Sequence, residues 1–314
     1  MAYFPSACLI ECRPIDDYFP MKSATVSVIG RPSAGKSTLV NTITGMKVSI
    51  TSPVPQTTRN KIRGIYTDSR GQLIFTDTPG YHVSDKALNK RLQEATVSAL
   101  SDSDLILYVL DPTRAQGREE EAIASLACRA SAPVIAVINK KDIASEKEVR
   151  DAETFLKRNF PGIEPLKASA SLDEGVDEIL IELFRSAPEG ELLYPEEAYT
   201  DQDLEFRVSE IIREKAMDTL RDELPHVIYV LIEDLEYSEE TKKVWIRAVI
   251  NVEREGQKGF IVGKGGENIK RIRKESFKEI KKIFPGSRLE LDIRVKSDPK
   301  WRTNSRTLDR LFKN

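Results

Sequence analysis

The chain has 314 residues, enough for two domains of about 150 residues, each with its own hydrophobic core. Hydrophobic residues make up 40% and charged residues 31%, and a formal net charge of −2 excludes a uniformly basic nucleic-acid binder. Three cysteines, Cys8, Cys12 and Cys128, are too few for a disulfide scaffold and indicate a reducing, cytoplasmic compartment. The longest apolar runs, such as Leu105–Leu110, fall far short of the ~20 residues that a membrane-spanning helix needs.

Residues 1–21 precede the first predicted strand. They lack the charged start and the apolar run of a secretory signal. Two interpretations stay open: they form a flexible N-terminal extension, or translation begins at Met21. Cys8 and Cys12 have no second Cys or His pair nearby, so we do not expect a zinc site.

Residues 22–187 alternate short β-rich runs with helix-like stretches. This pattern is typical of an α/β domain with a mainly parallel sheet and helices on both faces. The predicted strands are 25–29, 61–67, 73–76, 105–110, 134–138 and 164–168. The stretch 188–201 is rich in Pro, Glu and Tyr and predicts a linker.

Residues 202–297 follow an α+β order that differs from the first domain. The predicted elements are a helix (204–223), two strands (227–234 and 243–252), a short helix, a Gly-rich turn, a long helix (267–283) and a strand (288–295). The basic tail 298–314 either extends a nucleic-acid surface or covers the sheet of this domain.

The motif GRPSAGKS at 30–37 fits G-x-x-x-x-G-K-[ST] and lies between a predicted strand and a predicted helix. Such a loop turns successive backbone N–H groups towards a β-phosphate, and the helix N-terminus adds partial positive charge. Lys36 would reach the β- and γ-phosphates, and the Ser37 hydroxyl would bind Mg²⁺. The nucleotide-binding residues predicted here are Gly30, Arg31, Pro32, Ser33, Ala34, Gly35, Lys36, Ser37 and Thr38.

The motif DTPG at 77–80 follows another apolar run. A carboxylate at this strand end would help to hold Mg²⁺, and the Gly80 amide would contact the γ-phosphate. Between this motif and the phosphate loop lies QTTR (56–59), where a threonine can bind Mg²⁺ only in the triphosphate state. We favour Thr58 over Thr57. The predictions from this region are Asp77, Thr78, Pro79, Gly80 and Tyr81 for the nucleotide, Ser37, Thr58 and Asp77 for the metal, and Lys36, Thr58 and Gly80 for catalysis.

The motif NKKD at 139–142 follows the predicted strand 134–138. A carboxylate at Asp142 can accept hydrogen bonds from the ring N–H and the amino group of guanine, and adenine lacks that pair of donors. Further on, an amide in KASAS could donate to the guanine carbonyl. The predicted base-binding residues are Asn139, Lys140, Lys141, Asp142, Ser169 and Ala170.

Together and in this order, the motifs resemble the Ras-like P-loop GTPases, and QTTR indicates the branch that contains the Era and TrmE families. The resemblance implies binding of GTP and GDP with Mg²⁺, and GTP hydrolysis. Tyr81 stands where signalling relatives have a water-orienting Gln, which implies a slow intrinsic rate. Ser33 stands where related GTPases often have an Asn that helps to hold K⁺, so this departure puts stimulation by K⁺ in doubt.

The second domain hides a strong charge asymmetry. Residues 256–282 contain nine basic and three acidic side chains, a net +6, which leaves −8 for the rest of the chain. Within this segment a G-x-x-G turn (263–266) would let a nucleic-acid backbone approach closely. In this α+β order the segment resembles a type II KH domain. The predicted RNA contacts are Lys258, Ile261, Val262, Gly263, Lys264, Gly265, Gly266, Lys270 and Arg271.

The segments 209–215, 223–225 and 252–266 resemble the Era family of GTPases with a C-terminal KH domain, over about residues 22–297. The resemblance implies binding of single-stranded rRNA near the 3′ end of small-subunit rRNA, a role in maturation of the small (30S) subunit and 16S rRNA processing, and peripheral association with the inner membrane. We expect a monomer. Two alternatives stay open: an RNA-binding scaffold in which hydrolysis is not essential, and an ATPase or kinase.

Overall fold

A computed structural model describes residues 20–52, 60–79, 94, 96–220, 228–299 and 301–311. The predictions that lie outside these residues concern Cys8, Cys12, Thr57, Thr58, Gly80, Tyr81 and the turn at 223–225. No helix in the part of the chain that the structure describes is long and apolar enough to span a membrane.

The first domain is built on a six-stranded sheet with the order β2-β3-β1-β4-β5-β6. Strand β2 runs antiparallel to β3, and the other strand pairs of this sheet are parallel, as predicted. The strands are β1 (Lys22–Ile29), β2 (Ile62–Asp68), β3 (Gly71–Asp77), β4 (Leu105–Leu110), β5 (Val134–Ile138) and β6 (Leu166–Lys167). The helices include α1 (Lys36–Thr44), α2 (Arg118–Arg129), α3 (Glu146–Asn159) and α4 (Val176–Ser186).

The central strands are buried on both faces, which explains their continuous apolar runs. One face packs against α1 and α4 through Leu39 and Leu183, and the other packs against α2 and α3 through Ile123 and Leu156. Because parallel strands of one sheet end at the same edge, the loops after β1, β3 and β5 all lie at that edge, with β4 between β1 and β5. The nucleotide motifs occupy these loops.

The predicted linker 188–201 is bound along the first domain. Its backbone begins beside β1, where the Ser23 amide donates to Pro188 O at 3.1 Å. It continues along the β3 and β2 side, where the Gln72 side chain holds the amide of Tyr194 and the Ile65 amide donates to Tyr199 O. The segment predicted as a linker is therefore held against the first sheet by partners that are distant in sequence.

The second domain has a three-stranded sheet with the order β7-β8-β9, in which β8 is antiparallel to β7 and parallel to β9. Its elements are α5 (Leu204–Thr219), β7 (Tyr229–Ser238), β8 (Lys243–Val252), α6 (Lys258–Val262), α7 (Glu267–Ile283) and β9 (Arg288–Ser297). Helices α5 and α7 pack on the sheet through Ile212 and Ile272. Helix α5 ends at Thr219, before the predicted residue 223, because Leu220 has extended backbone angles.

The C-terminal tail packs against the second domain. Trp301 is fully buried against the Tyr229 ring at 4.9 Å between centroids, and Leu308 of α8 (Ser305–Leu311) joins this cluster. Arg302 pairs with Glu253. Of the two interpretations of the tail, the described part favours covering the sheet.

Replacing Trp301 with Ala is expected to cost about 3–5 kcal/mol of unfolding free energy, because a large buried side chain leaves a cavity. Urea titration measures this loss. Phe260→Ala is the control, since the Phe260 side chain is 61% exposed and its removal should change stability by less than about 0.5 kcal/mol. Equal losses in the two variants would contradict a packed tail.

Contacts between the domains centre on Glu214 of α5. Its buried carboxylate accepts from Lys47 Nζ at 2.5 Å and from the Thr51 amide at 3.0 Å. Burial alone would raise the pKa of Glu214, but the hydrogen bonds from Lys47 and Lys215 outweigh it, so the pKa is lowered. The loop that precedes QTTR is thereby tied to the first helix of the second domain.

Candidate nucleotide site and RNA-binding groove

The phosphate loop at 30–37 curls tightly between β1 and α1. Gly35 has a φ of 93°, and a Cβ there would lie 2.2 Å from Nδ2 of Asn139, so only glycine fits beside the base loop. Ser33 also has a left-handed φ, of 66°. The side chain of Arg31 lies against α2, 3.4 Å from Glu119. Only the backbone of Arg31 is therefore available to contact a nucleotide phosphate.

Lys36 is almost fully buried, and its Nζ donates to Gly30 O at 3.1 Å and to Arg31 O at 3.0 Å. Burial lowers the pKa of Lys36 to about 8, although the negative charges of Asp77 and Glu120 oppose this shift. The ammonium group is thus held at the loop where the motif needs a positive charge for β- and γ-phosphates.

GDP affinity is expected to be constant below pH 8 and to fall above it, by up to about tenfold per pH unit. The phosphates favour charged Lys36, so binding takes up a proton once the free protein has lost it. Calorimetric titration between pH 7 and 9.5 measures this. Lys36→Arg separates the titration of Lys36 from that of the nucleotide, because arginine stays charged. A flat wild-type profile would contradict the prediction.

Ser37 and Asp77 lie together, as predicted for the metal site. The Ser37 hydroxyl donates to Asp77 Oδ2 at 2.6 Å, and Asp77 is fully buried at the end of β3. Hydroxyl and carboxylate oxygens are the hard ligands that Mg²⁺ prefers, so this pair fits the ion. The neighbouring Thr78 is also buried and donates to Val28 O at 2.8 Å, which fixes the start of the DTPG turn.

The base loop forms a cavity of about 200 Å³ with the start of α1. Asp142 and Lys140 line it, together with Thr38 and Ala170. Asn139 holds the walls together, because its Nδ2 donates to Ala34 O at 2.9 Å and its Oδ1 accepts from the Ala170 amide at 3.0 Å.

Three of the predicted base-binding residues already have partners in neighbouring loops. The Ala170 amide is engaged by Asn139, so a bond from it to a guanine carbonyl would have to be shared. Lys141 pairs with Glu174 at 3.2 Å, and Ser169 is buried, with its amide bonded to Glu174 O. Lys141 and Ser169 therefore shape the loops behind the cavity.

In the second domain, the G-x-x-G turn joins α6 to α7. Asn268 Nδ2 donates to Phe260 O at 2.8 Å and closes the turn from inside. Gly265 has a φ of 61°, and nothing lies within 4 Å of a Cβ placed there, so this position is open to a ligand. Lys264 and Val262 are exposed beside it, and so is Phe260, which the sequence prediction missed.

Three of the predicted RNA contacts are directed elsewhere. Ile261 is fully buried in the core of the domain, so it cannot face a base. Arg271 donates to Thr219 O at 3.2 Å and therefore lies over the end of α5. Lys258 pairs with Glu255.

A groove of about 580 Å³ runs between α7 and β9, next to the G-x-x-G turn. Lys270 and Ile269 line it from α7, and Leu291 and Ile293 line it from β9. Arg273 lies in the same wall and its Nε donates to Leu291 O at 2.8 Å. The i, i+3 spacing from Lys270 to Arg273 is a signal that could have identified Arg273 from the sequence.

Comparison with known proteins agrees with the two-domain architecture. The family described as "50S ribosome-binding GTPase" matches residues 25–140, and the family described as "KH domain" matches 223–302. GTPase Era of Treponema denticola is 45% identical over 93% of this chain and 99% of its own length. GTPase Era of Borrelia hermsii is 46% identical over 93% and 100% of the two chains.

Two solved structures share the whole architecture with a TM-score of 0.88 and 35% identity, and each match covers 93% of this chain and 99% of theirs. One is a point variant of Aquifex aeolicus Era bound to GDP·AlF₄⁻. The other is Era in complex with MgGDPNP and nucleotides 1506–1542 of 16S ribosomal RNA. With the phosphate loop, the base loop and the KH groove in place, the chain belongs to the Era family of GTPases.

Proposed function

We propose that this GTPase binds single-stranded rRNA near the 3′ end of the small-subunit rRNA, and thereby assists 30S maturation and 16S rRNA processing. The observation that carries the proposal is the groove between α7 and β9, lined by Lys270 and Arg273, together with the open position at Gly265 of the G-x-x-G turn. The relative solved with nucleotides 1506–1542 of 16S rRNA supports the choice of RNA.

The reaction is attack of water on the γ-phosphate of GTP, and the chain contributes mainly positive charge and position. Lys36 supplies a buried ammonium group, and the amides of the phosphate loop would surround the β-phosphate of a bound nucleotide. Ser37 and Asp77 would hold Mg²⁺, which neutralises charge on the phosphates. We propose that the Gly80 amide contacts the γ-phosphate and that Thr58 binds Mg²⁺ in the triphosphate state. We also propose a slow intrinsic rate, because Tyr81 cannot orient the attacking water as Gln does.

We assign the GTPase domain to 22–187 and the KH domain to 202–297, with 188–201 joining them and 298–314 as the tail. We also propose that the protein is a cytoplasmic monomer that associates peripherally with the inner membrane. The basic side chains of α7 support attraction to anionic lipid, and they serve RNA phosphates equally.

Crosslinking and sequencing of RNA bound to the protein loaded with GTP, and separately with GDP, tests the proposal. We expect reads concentrated near the 3′ end of 16S rRNA, enriched in the GTP form and lost in an Arg273→Gln, Lys270→Gln variant. Reads spread over unrelated RNAs would overturn it. Equal recovery with GTP and GDP would favour the scaffold alternative instead.

A further inference from the structure

The connector between β4 and α2 (111–117) lies against the phosphate loop. Two arginine side chains join the connector and the phosphate loop, one donated by each segment. Arg31 of the phosphate loop donates to Ala115 O at 2.9 Å. Arg114 of the connector donates to Pro32 O, also at 2.9 Å. The phosphate loop therefore cannot shift without disturbing both charge-assisted bonds.

A buried carboxylate reinforces this contact from the start of α2. Glu120 is 1% exposed, and its Oε1 accepts from the Tyr108 hydroxyl at 2.5 Å. Its Oε2 lies 3.6 Å from Nη1 of Arg31. Burial raises the pKa of Glu120, while Tyr108, Arg31 and Lys36 favour its charged form. A buried carboxylate paired in this way holds its partner strongly, because separating the pair leaves a charge buried and uncompensated.

The other end of the connector holds the base loop. Asp111 is 3% exposed, and its Oδ1 accepts from the amide and hydroxyl of Thr113 at 3.0 and 2.6 Å. Its Oδ2 accepts from Nζ of Lys140 at 2.6 Å. Lys140 has a left-handed φ of 59° and lines the base cavity, so its side chain is fixed by a residue outside the NKKD motif.

We propose that residues 111–120 form a brace that fixes the phosphate loop and Lys140 relative to each other, with Glu120, Arg114 and Asp111 as positioning residues for GTP. The brace acts through Arg31, Pro32 and Lys140, and it rests on the assignment of 30–37 and 139–142 as the nucleotide site. Glu120 and Arg114 act on the phosphate loop, and Asp111 acts on the base loop. Their effects on phosphate binding and on base binding can therefore be measured separately.

The test compares GDP with GMP, which keeps the base but lacks the β-phosphate. Glu120→Gln should weaken GDP binding about tenfold or more and change GMP binding little, because the phosphate loop chiefly holds the β-phosphate. Asp111→Asn should weaken both nucleotides by a similar factor, because both place guanine against Lys140. The matched control is Glu121→Gln on the same helix, whose exposed carboxylate faces Arg158 at 3.5 Å.

Competition against a fluorescent GDP gives the affinities, and thermal unfolding reports whether each variant folds. Arg114→Gln alters an exposed side chain, so it tests the phosphate end without disturbing the core, and it should also lower the GDP-to-GMP affinity ratio. The inference is overturned if Glu120→Gln and Arg114→Gln bind GDP as Glu121→Gln does, or if they weaken GDP and GMP equally. Failure of the wild-type protein to bind GDP would instead refute the nucleotide-site assignment.

Discussion

Replacing Asp142 with Asn is expected to weaken GTP binding by about a hundredfold or more and to make xanthosine triphosphate the better ligand. Asp142 lines the base cavity, where its carboxylate can accept two hydrogen bonds from guanine. Hydrogen bonds to a charged group are worth about 1.5–3 kcal/mol each, so losing the charged acceptor has a large effect. Xanthine has a carbonyl where guanine has the amino group. This carbonyl can accept a hydrogen bond from the NH₂ group of the new asparagine.

Equilibrium titrations of GTP, xanthosine triphosphate and ATP on both proteins measure this change. Asp151→Asn, an exposed change on α3, controls for the loss of one negative charge and should leave all three affinities unchanged. Wild-type binding of ATP at least as tight as GTP would support the ATPase or kinase alternative and refute guanine selection by Asp142.

The second large effect is expected at the G-x-x-G turn. Gly265→Asp should lower affinity for single-stranded RNA at least tenfold and leave GTP affinity unchanged, because it puts a negative charge where a phosphate approaches. The fold should tolerate the change. A Cβ there meets nothing within 4 Å, and Asp is among the residues that adopt a positive φ most readily.

Gly265→Asn is the matched control, since it has nearly the same shape and backbone preference without the charge. It should retain most of the RNA affinity, and fluorescence anisotropy at two salt concentrations separates the electrostatic part of the difference. Equal losses for Asp and Asn would show that shape, and not charge, limits the approach. Loss of GTP binding together with RNA binding would show unfolding and contradict separate sites.

Much of the fold follows from local pattern. The runs at 105–110 and 134–138 are uninterrupted apolar segments bounded by polar turns, and they match β4 and β5 residue for residue. The segment 188–201 could not be predicted in the same way. Its order comes from side chains far away in sequence, such as Gln72, which hold its backbone against the sheet.

In the candidate sites too, features set by local sequence could be predicted, and features set by long-range contacts could not. In the phosphate loop, short-range spacing largely determines geometry. The parallel pairing of β1 with β3 then brings Asp77 beside Ser37, an arrangement that the order of the motifs predicts. The short helix α6 has too few turns for periodicity to show which apolar residue faces the core, so the role of Ile261 was predicted wrongly. The Glu120–Arg31 contact joins residues that are remote in sequence, so no motif spacing could have predicted it.

The attachment of residues 188–201 to the first sheet leaves the connection between the domains little conformational freedom. A flexible chain of this length would let its ends wander about 20 Å apart. Here Asp201 is held by Arg63 at 2.8 Å, Asp203 caps α5, and Gln202 between them donates to Val48 O. These bonds fix the start of the KH domain to the first domain, so residues 188–201 do not act as a flexible linker. Separating the second domain from the first would therefore require breaking these bonds as well as the contacts of Glu214.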